Sequence, residues 1–393
     1  MSGAAVPTLD GVSTFIVDCL HATAPTEDDG YPLIRTPNIG KGRLDLDAVH
    51  RVSPATYETW TQRAVPEAGD LIFAREATAG NVAIVLEGQQ VCLGQRTVHI
   101  RPNREMVDPN FLCYFLLAPQ QQGLLMAAET GATAKHINMK DIRRLPLARM
   151  PELPLQKRIG TMLADYDDLI ANNRRRIQLL EDSVRLLFDE WFVRGEACAA
   201  PAAGQEPRLF TLGDLCEDLR QSVLPEELDP STPYIGLEHM PRRSITLSDW
   251  GAASDVSSSK LCYSSGDVVF GKIRPYFHKV GLALTDGVCS SDAIVMRAKA
   301  PQWRALLLAL VSSDEFVAAT SQAMKEGSKM PRADWKQMKA HQISVPSQRV
   351  LEAFNAVVDP ILGQIKILAL QARALRTARD LLLPRLMSGE LSV

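Results

Sequence analysis

Residues 69–73, Gly-Asp-Leu-Ile-Phe, recur as Gly-Asp-Val-Val-Phe at residues 266–270, which lie 197 residues further along the chain. Val91-Cys92 recurs at the same distance as Val288-Cys289. Landmarks that keep one order at one offset indicate an internal duplication. We therefore predict that the chain is built from two copies of a unit of about 195 residues.

The middle of each copy predicts a mixed α/β domain. Short runs rich in β-branched residues are separated by glycine and polar turns, and helical segments follow them. The predicted strands cover residues 70–73, 82–86, 98–100, 268–270, 280–284 and 294–296, and the predicted helices cover residues 109–117 and 302–319. The predicted fold class is α+β, with two α/β domains in tandem and a long helix after each.

Each long helix carries apolar positions at alternating steps of three and four residues, which is the seam of a coiled coil. The first seam comprises Tyr166, Ile170, Asn173, Ile177, Leu180, Val184, Leu187 and Trp191. The second comprises Leu351, Phe354, Val358, Ile361, Ile365, Leu368, Ala372 and Leu375. Two matching seams in one chain can bury each other, so we predict an antiparallel coiled coil. Two independent core helices are the alternative interpretation.

Prolines and small residues suggest where these parts begin and end. The predicted segments are a first domain at 1–152, a first helix at 153–194, a linker at 195–208, a second domain at 209–346, and a second helix with the C-terminal tail at 347–393. Asp359-Pro360 resembles a helix start inside the second helix, so we expect a kink or a restart there.

Familiar catalytic signatures are absent from the sequence. It has no P-loop, no dinucleotide-binding glycine turn, no zinc-protease HExxH and no GxSxG nucleophile turn. The seven cysteines are scattered singly, without metal-ligand spacing, as in proteins of a reducing cytoplasm. We see no signal peptide, and apolar runs such as 306–311 are too short to cross a bilayer. We therefore expect a cytoplasmic protein with no catalytic residues, no metal site and no cofactor.

Three stretches resemble the type I restriction-modification specificity subunits. Residues 153–193, from Leu-Pro-Leu-Gln-Lys-Arg-Ile to Leu-Phe-Asp-Glu-Trp-Phe-Val, resemble the central region of that family, and residues 381–391 resemble its C-terminal ending. Residues 131–138 and 327–335 resemble the loops that close its two target recognition domains. The resemblance covers essentially the whole chain.

The resemblance implies a subunit without catalytic activity that serves in defence against phage. Each target recognition domain would read one half of a split site in double-stranded DNA, and the two halves would differ because the domains differ. The helical pair would set the spacing and dock two methyltransferase (modification) subunits, and restriction (translocase-nuclease) subunits would complete the complex. S-adenosylmethionine, ATP and magnesium would belong to those partners alone.

The basic residues of the closing loops and of the strand ends are the candidate DNA contacts, since arginine and lysine bind phosphates and guanine edges. They are Arg75, Lys135 and His136 in the first half and Lys272, Arg274, Lys329 and Arg332 in the second. We expect Asn138 and Asp334 to cap the short helices that follow them. For each candidate the alternative is a solvated surface charge.

Two other classes of function remain open from the sequence. A net charge of −3 is unusual for a DNA-binding chain, and it favours a helical scaffold whose flanking domains bind proteins. A nuclease with a degenerate centre is the other alternative. DNA binding in the presence of the methyltransferase distinguishes a DNA-specificity subunit from a protein-binding scaffold. Metal-dependent cleavage of DNA by the isolated chain would support the nuclease.

Overall fold

The computed structural model describes residues 6–47, 49–130, 136–148, 150–195, 207–322, 331–345 and 347–391. The chain forms two compact units. Unit 1 comprises Met1–Ile170 with Leu375–Val393, and unit 2 comprises Ala171–Ala374. Each unit thus contains one α/β domain and a part of each long helix, whereas the predicted segments separate domains from helices.

The elements of the α/β domain of unit 1 are β1 Ser13–Asp18, β2 Tyr31–Ile34, β3 Gly42–Arg43, β4 Arg51–Val52, α1 Pro54–Trp60, β5 Leu71–Ala74, β6 Val82–Ile84, β7 Cys92–Leu93, β8 Thr97–Pro102, α2 Pro109–Leu117, α3 Pro119–Ala127, β9 Glu129–Thr130, β10 His136–Ile137 and α4 Met139–Arg144. Five of the strands form a sheet in the order β1-β8-β5-β6-β3, with β3 parallel to β6 and the other neighbours antiparallel. A smaller sheet has the order β4-β2-β7.

The first long helix, α5, covers Leu153–Phe188 and continues as a π-helical turn at Asp189–Val193. The elements of the second α/β domain are β11 Arg208–Thr211, α6 Leu212–Leu215, β12 Cys216–Leu219, β13 Ser222–Val223, β14 Pro233–Ile235, β15 Thr246–Leu247, β16 Gly251–Ala252, β17 Lys260–Tyr263, β18 Val268–Gly271, β19 Val280–Ala283, β20 Gly287–Cys289, β21 Ala293–Ala298, α7 Arg304–Val311, α8 Asp314–Gln322, α9 Trp335–Met338 and β22 Gln342–Val345. The second long helix, α10, covers Gln348–Ser388.

The large sheet of unit 2 has the order β12-β21-β18-β19-β15, which repeats the sheet of unit 1 strand for strand. Its one parallel pair, β15 with β19, matches β3 with β6. The predicted duplication is therefore a duplication of fold. The smaller sheets differ, because unit 2 adds β13 and β17 to the strands that match β4-β2-β7.

One predicted helix is two helices in the structure. The segment predicted at 302–319 breaks at Ser312 and Ser313 between α7 and α8. The Ser313 hydroxyl accepts a hydrogen bond from the Phe316 amide at 3.2 Å, and such side-chain capping favours the start of a new helix. The helix predicted at 109–117 coincides with α2, whose N-cap Asp108 accepts from the Phe111 amide.

Helix α10 continues through Pro360, so the expected restart is absent. A proline inside a helix loses one backbone hydrogen bond and costs about 3 kcal/mol. Pro360 itself is exposed, while Val358 and Leu362 on either side of it are buried in the core of unit 2. Packing of the buried face therefore holds the helix together across the proline.

By length and composition alone, α10 could cross a bilayer, which the apolar runs in the sequence did not suggest. Core helices of soluble proteins share this length and composition. Within unit 2, α10 buries Leu351, Phe354, Val358 and Ile365 in the core. Its apolar composition therefore has a structural use in the fold.

Candidate nucleic-acid interface

The repeated Gly-Asp pairs turn the chain into the central strands β5 and β18. Gly69 and Gly266 have φ values of +93° and +97°, which side chains rarely adopt. The Asp70 carboxylate accepts from the Glu67 amide at 2.8 Å, and the Asp267 carboxylate accepts from the Ser264 amide at 2.7 Å. These contacts confirm the prediction that both pairs form turns into buried strands.

In each turn, the aspartate carboxylate pairs with an arginine on the neighbouring strand. Arg101 donates through Nε and Nη2 to Asp70 at 2.9 and 2.8 Å, and Arg297 donates in the same way to Asp267 at 2.8 and 2.7 Å. Sequence reasoning missed both arginines, although they lie 196 residues apart and follow the same repeat. They are structural residues that hold the strand from which the candidate loop departs.

In unit 1, a buried histidine also contacts this aspartate carboxylate. The Nε2 atom of buried His99 lies 2.6 Å from Asp70 Oδ2. Burial by itself would raise the pKa of Asp70, but the hydrogen bonds from Arg101 and His99 outweigh it and lower the pKa to about 2. In unit 2, Val295 occupies the place of His99 in the strand register.

In unit 1, the loop after β5 docks on the closing loop. Glu76 forms a β-bridge with His136, and the Ile137 amide donates to the Arg75 carbonyl at 3.1 Å. The Arg75 side chain in turn donates through Nε to the Ile137 carbonyl at 3.0 Å. The structure therefore brings together Arg75 and His136, two candidates that are 61 positions apart in the sequence.

Unit 2 repeats this docking at equivalent positions. Ile273 forms a β-bridge with Arg332, and the Ala333 amide donates to the Lys272 carbonyl at 2.9 Å. The Arg274 amide donates to the Pro331 carbonyl at 2.9 Å. The structure therefore brings Lys272, Arg274 and Arg332 together, and their role as DNA contacts stays a prediction.

The side chains of these candidates differ in how freely they face solvent. Arg274 and Arg332 are exposed, whereas Arg75, His136 and Lys272 are partly buried. Arg332 forms an ion pair with Asp292 at 3.2 Å, and Lys272 Nζ donates to the Ser291 carbonyl at 3.1 Å. The candidates Lys135 and Lys329 lie outside the described residues.

Backbone strain marks the same two places. Among the described residues, five non-glycine residues have a positive φ: Ala77, Arg96, Arg243, Arg274 and His278. Ala77 lies in the loop after β5, and the Arg96 carbonyl accepts from the Arg75 amide. The other three lie at the loop after β18, where the Arg243 amide donates to the His278 carbonyl. Strain of this kind concentrates at functional sites, since the fold must hold it in place.

One of the two expected helix caps is wrong in detail. Asp334 caps α9 by accepting from the Lys336 amide at 2.9 Å, as expected. Asn138 occupies the N-cap position of α4 but makes no side-chain cap hydrogen bond. Its amide group donates to the Asp141 carboxylate at 3.3 Å, so the side chain engages another side chain in place of the backbone.

In unit 1, a buried ionic cluster joins the domain to parts of both long helices. The Tyr114 hydroxyl on α2 donates to Asp167 Oδ2 on α5 at 2.6 Å, and Arg379 on α10 pairs with the same carboxylate. Arg43 on β3 donates to Asp168 at 2.7 and 3.2 Å. Burial and the neighbouring Asp167 charge raise the pKa of Tyr114, so its proton stays in place.

In unit 2, a different polar contact joins the domain to α5. The buried Glu181 carboxylate accepts from Ser244 Oγ at 2.8 Å and from Thr246 Oγ1 at 2.5 Å. Burial raises the pKa of Glu181. On the facing helix, the guanidinium of Arg373 stacks over the ring of Trp250 at 3.8 Å from its centroid.

In unit 2, the described contacts between α5 and α10 are those of two antiparallel helices. Asn173 Nδ2 donates to Gln371 Oε1 at 3.3 Å near one end, and the rings of Trp191 and Phe192 lie 5.9 and 5.0 Å from that of Phe354 near the other. Asn173 is buried, as its place on the seam predicted.

The proposed helix-pair residues vary in burial. Ile170, Asn173, Val184, Phe354, Val358, Ile365 and Leu368 are buried, whereas Ile177, Leu180, Leu187, Trp191, Ile361 and Leu375 are partly buried. Phe188, which the seam left out, is also buried. Tyr166 lines an open groove of about 600 Å³ with Lys157, Arg158, Thr161, Met162, Asp165 and Leu169. The assignment of these residues to a helix-pair or partner interface stays a prediction.

Within the described residues, no group of three histidine, cysteine, aspartate or glutamate side chains could hold a metal ion. The cysteines in those ranges are free thiols. Burial raises the pKa of the Cys92, Cys113, Cys216 and Cys289 thiols to about 12. Thiols with so high a pKa are poor nucleophiles.

Known proteins provide the comparison for this architecture. A family model, the type I restriction modification DNA specificity domain, matches residues 18–182. The MjaX specificity subunit of a type I restriction enzyme from Methanocaldococcus jannaschii is 24% identical over 215 residues, which span 52% of this chain and 50% of that protein. The MjaIX specificity subunit of the same organism is 23% identical over 367 residues, or 85% and 82% of the two chains. The chain is similar in sequence to type I specificity subunits. This confirms the resemblance seen in the sequence.

A solved structure has the same fold as this chain. The crystal structure of the type I restriction-modification system S subunit from M. genitalium matches with a TM-score of 0.61, covering 98% of this chain and 97% of that one at 14% identity. The prediction of tandem α/β domains with long helices is confirmed. The coiled-coil geometry of the helical pair stays a prediction.

Proposed function

We propose that the chain is the non-catalytic subunit that gives a type I restriction-modification complex its DNA sequence specificity. The observation that carries this proposal is the strained loop after the central strand, docked on the closing loop and recurring in both units. In each unit, the contact between these two loops places basic side chains close together. Such side chains hold phosphates and read base edges.

The two loop surfaces support a bipartite and asymmetric site. Unit 1 offers Arg75 and His136, whereas unit 2 offers Lys272, Arg274 and Arg332. Two surfaces with different side chains read different bases, because recognition depends on which donors reach which base edge. We infer that each unit reads its own half of one split site in duplex DNA.

Exposed apolar side chains on the long helices support the docking of partner subunits. Leu179 and Leu186 on α5 lie seven residues apart, and both are exposed. In unit 1, the groove around Tyr166 has an apolar floor that includes Met162 and Leu169. A helix from another chain could cover such a stripe. We propose methyltransferase and restriction subunits as the occupants, in keeping with the family, with S-adenosylmethionine, ATP and magnesium bound by them and a cytoplasmic location for the complex.

The test uses the complex of the full chain with the methyltransferase encoded beside it. Its affinity for duplex DNA is measured by fluorescence anisotropy at several salt concentrations. We expect the triple change Lys272→Ala, Arg274→Ala and Arg332→Ala to weaken binding and to reduce the salt slope by about 0.9 for each phosphate that the variant no longer neutralises. The matched control is Arg208→Ala on β11, an exposed arginine at the edge of the small β11–β22 sheet.

An unchanged affinity and salt slope in the triple variant would remove these residues from the interface. If the wild-type complex forms but does not prefer one duplex over competitor DNA, a scaffold that binds proteins becomes the better account. The net charge of −3 is the observation that favours that alternative.

A further inference from the structure

The loop after β18 holds an exposed aromatic ring on a rigid backbone. It covers residues 272–279, and its middle is a 3-10 turn at Pro275–Phe277 between Arg274 and His278, which both have a positive φ. His278 is buried, and its Nε2 atom donates to the Ser312 carbonyl at 2.6 Å. Tyr276 at the tip is nevertheless 52% exposed.

Tyr276 is part of a stacked group that we call the aromatic ledge, which comprises Arg242, Arg274, Tyr276 and Phe277. The guanidinium of Arg242 lies 4.1 Å from the centroid of the Phe277 ring, and that of Arg274 lies 5.8 Å from it. The Tyr276 and Phe277 rings meet edge to face at 5.0 Å. Among the described residues, neither arginine forms an ion pair with a carboxylate.

These features together are those of a preformed contact surface. Tyrosine joins a large apolar ring to a polar hydroxyl group and is enriched at interfaces. Here two strained residues, Arg274 and the buried His278, fix the loop that exposes the ring, so little entropy remains to be lost on binding. Stacked arginines beside an aromatic ring suit a flat, negatively charged partner such as nucleic acid.

The corresponding loop of unit 1 lacks this group. It covers residues 75–81, one residue fewer than the unit 2 loop, and places Thr78 and Ala79 where unit 2 has Pro275, Tyr276 and Phe277. The two loops depart from equivalent strands, β5 and β18, and both dock on a closing loop. The aromatic ledge is therefore a property of the second unit.

We propose that the aromatic ledge is a DNA contact used by the second unit alone. Tyr276 packs against a base or deoxyribose of the half-site that this unit reads, while Arg242 and Arg274 hold the adjacent phosphates. The inference rests on the proposed function and adds to it a residue that determines specificity and a different mode of contact for each half-site.

The experiment uses the complex with the neighbouring methyltransferase and the duplex that contains its modified sequence. Kd values are measured for the intact duplex and for two duplexes in which one or the other half-site is scrambled. We expect Tyr276→Ala to weaken binding to the intact duplex about 10-fold. The Kd values of the wild-type and Tyr276→Ala complexes should still differ when the half-site read by unit 1 is scrambled. They should be equal when the half-site read by unit 2 is scrambled. Tyr276→Phe should bind as the wild type does, because the ring is retained.

Leu209→Ala is the matched control, since Leu209 is a similarly exposed apolar side chain on β11 of the same unit. A second measurement places the photoreactive residue p-benzoylphenylalanine at position 276 or at position 209. We expect a crosslink to DNA from position 276 alone. Wild-type affinity of Tyr276→Ala for the intact duplex, or no crosslink from position 276, would overturn the proposal while leaving the proposed function in place. A wild-type complex without sequence preference would overturn both.

Discussion

Replacing Asp70 with asparagine tests the link between the buried turn and acid stability. The hydrogen bonds from Arg101 and His99 lower the pKa of Asp70 to about 2, against about 3.8 for an ordinary aspartate. One pKa unit corresponds to 1.36 kcal/mol, so the ionised carboxylate stabilises the folded chain by about 2.5 kcal/mol. The side chain is almost fully buried, so solvent screens this interaction little.

The direction of the pH dependence follows from the lowered pKa. Because the folded state binds this proton less tightly than the unfolded state, the stabilisation is present above about pH 4 and is lost as the pH falls towards 2. Urea unfolding between pH 7 and pH 3 measures it. We expect Asp70→Asn to lower the free energy of unfolding by about 2.5 kcal/mol at pH 7 and by about half as much at pH 3.

The duplication supplies a control for this prediction. Asp267→Asn removes the equivalent carboxylate–arginine pair from unit 2, where Val295 stands in place of His99. We expect a smaller loss at pH 7 from Asp267→Asn, because no buried histidine is left without its partner. Parallel stability profiles for the wild type and Asp70→Asn across the whole pH range would refute the reasoning.

Three further changes probe the helices. Phe354→Ala should lower the free energy of unfolding by about 3–5 kcal/mol, since its ring is fully buried between two helices; a loss below about 1 kcal/mol in urea unfolding would contradict this packing. Tyr114→Phe leaves Asp167 without one hydrogen-bond donor and should cost about 1–3 kcal/mol; an unchanged Tm would show that the hydroxyl contributes nothing. Because the folded pKa of Glu181 is raised, its carboxylate makes the fold less stable as the pH rises. Glu181→Gln should therefore lessen the decline in Tm between pH 5 and pH 8, and an unchanged decline would argue against a buried, ionising Glu181.

The repeat in the sequence was sufficient to predict the doubled fold. Gly69-Asp70 and Gly266-Asp267 form the predicted turns because glycine adopts the positive φ and aspartate accepts hydrogen bonds from nearby backbone amides. The long helices were equally accessible, since their apolar period extends over several heptads. The same logic would have found Arg101 and Arg297, which follow the repeat but belong to no familiar motif.

Other features depend on long-range contacts that no local pattern encodes. Arg242 meets Phe277 only because two loops fold against each other, and the strain at Arg274 and His278 depends on their docking to Pro331 and Ser312. The partnership of Tyr114, Asp167 and Arg379 joins three distant segments of the sequence. The local rule for proline predicted a kink or a restart at Pro360. The restart is absent, because packing of the buried neighbours holds the helix together across the proline.

The most direct test of the central claim is a map of modified bases in host DNA, obtained by single-molecule sequencing after co-expression of this chain with the neighbouring methyltransferase. We predict a split, asymmetric sequence modified on both strands, which disappears when this chain is omitted. Absence of any such sequence, with the methyltransferase soluble and bound to this chain, would contradict the account and favour a scaffold that binds proteins.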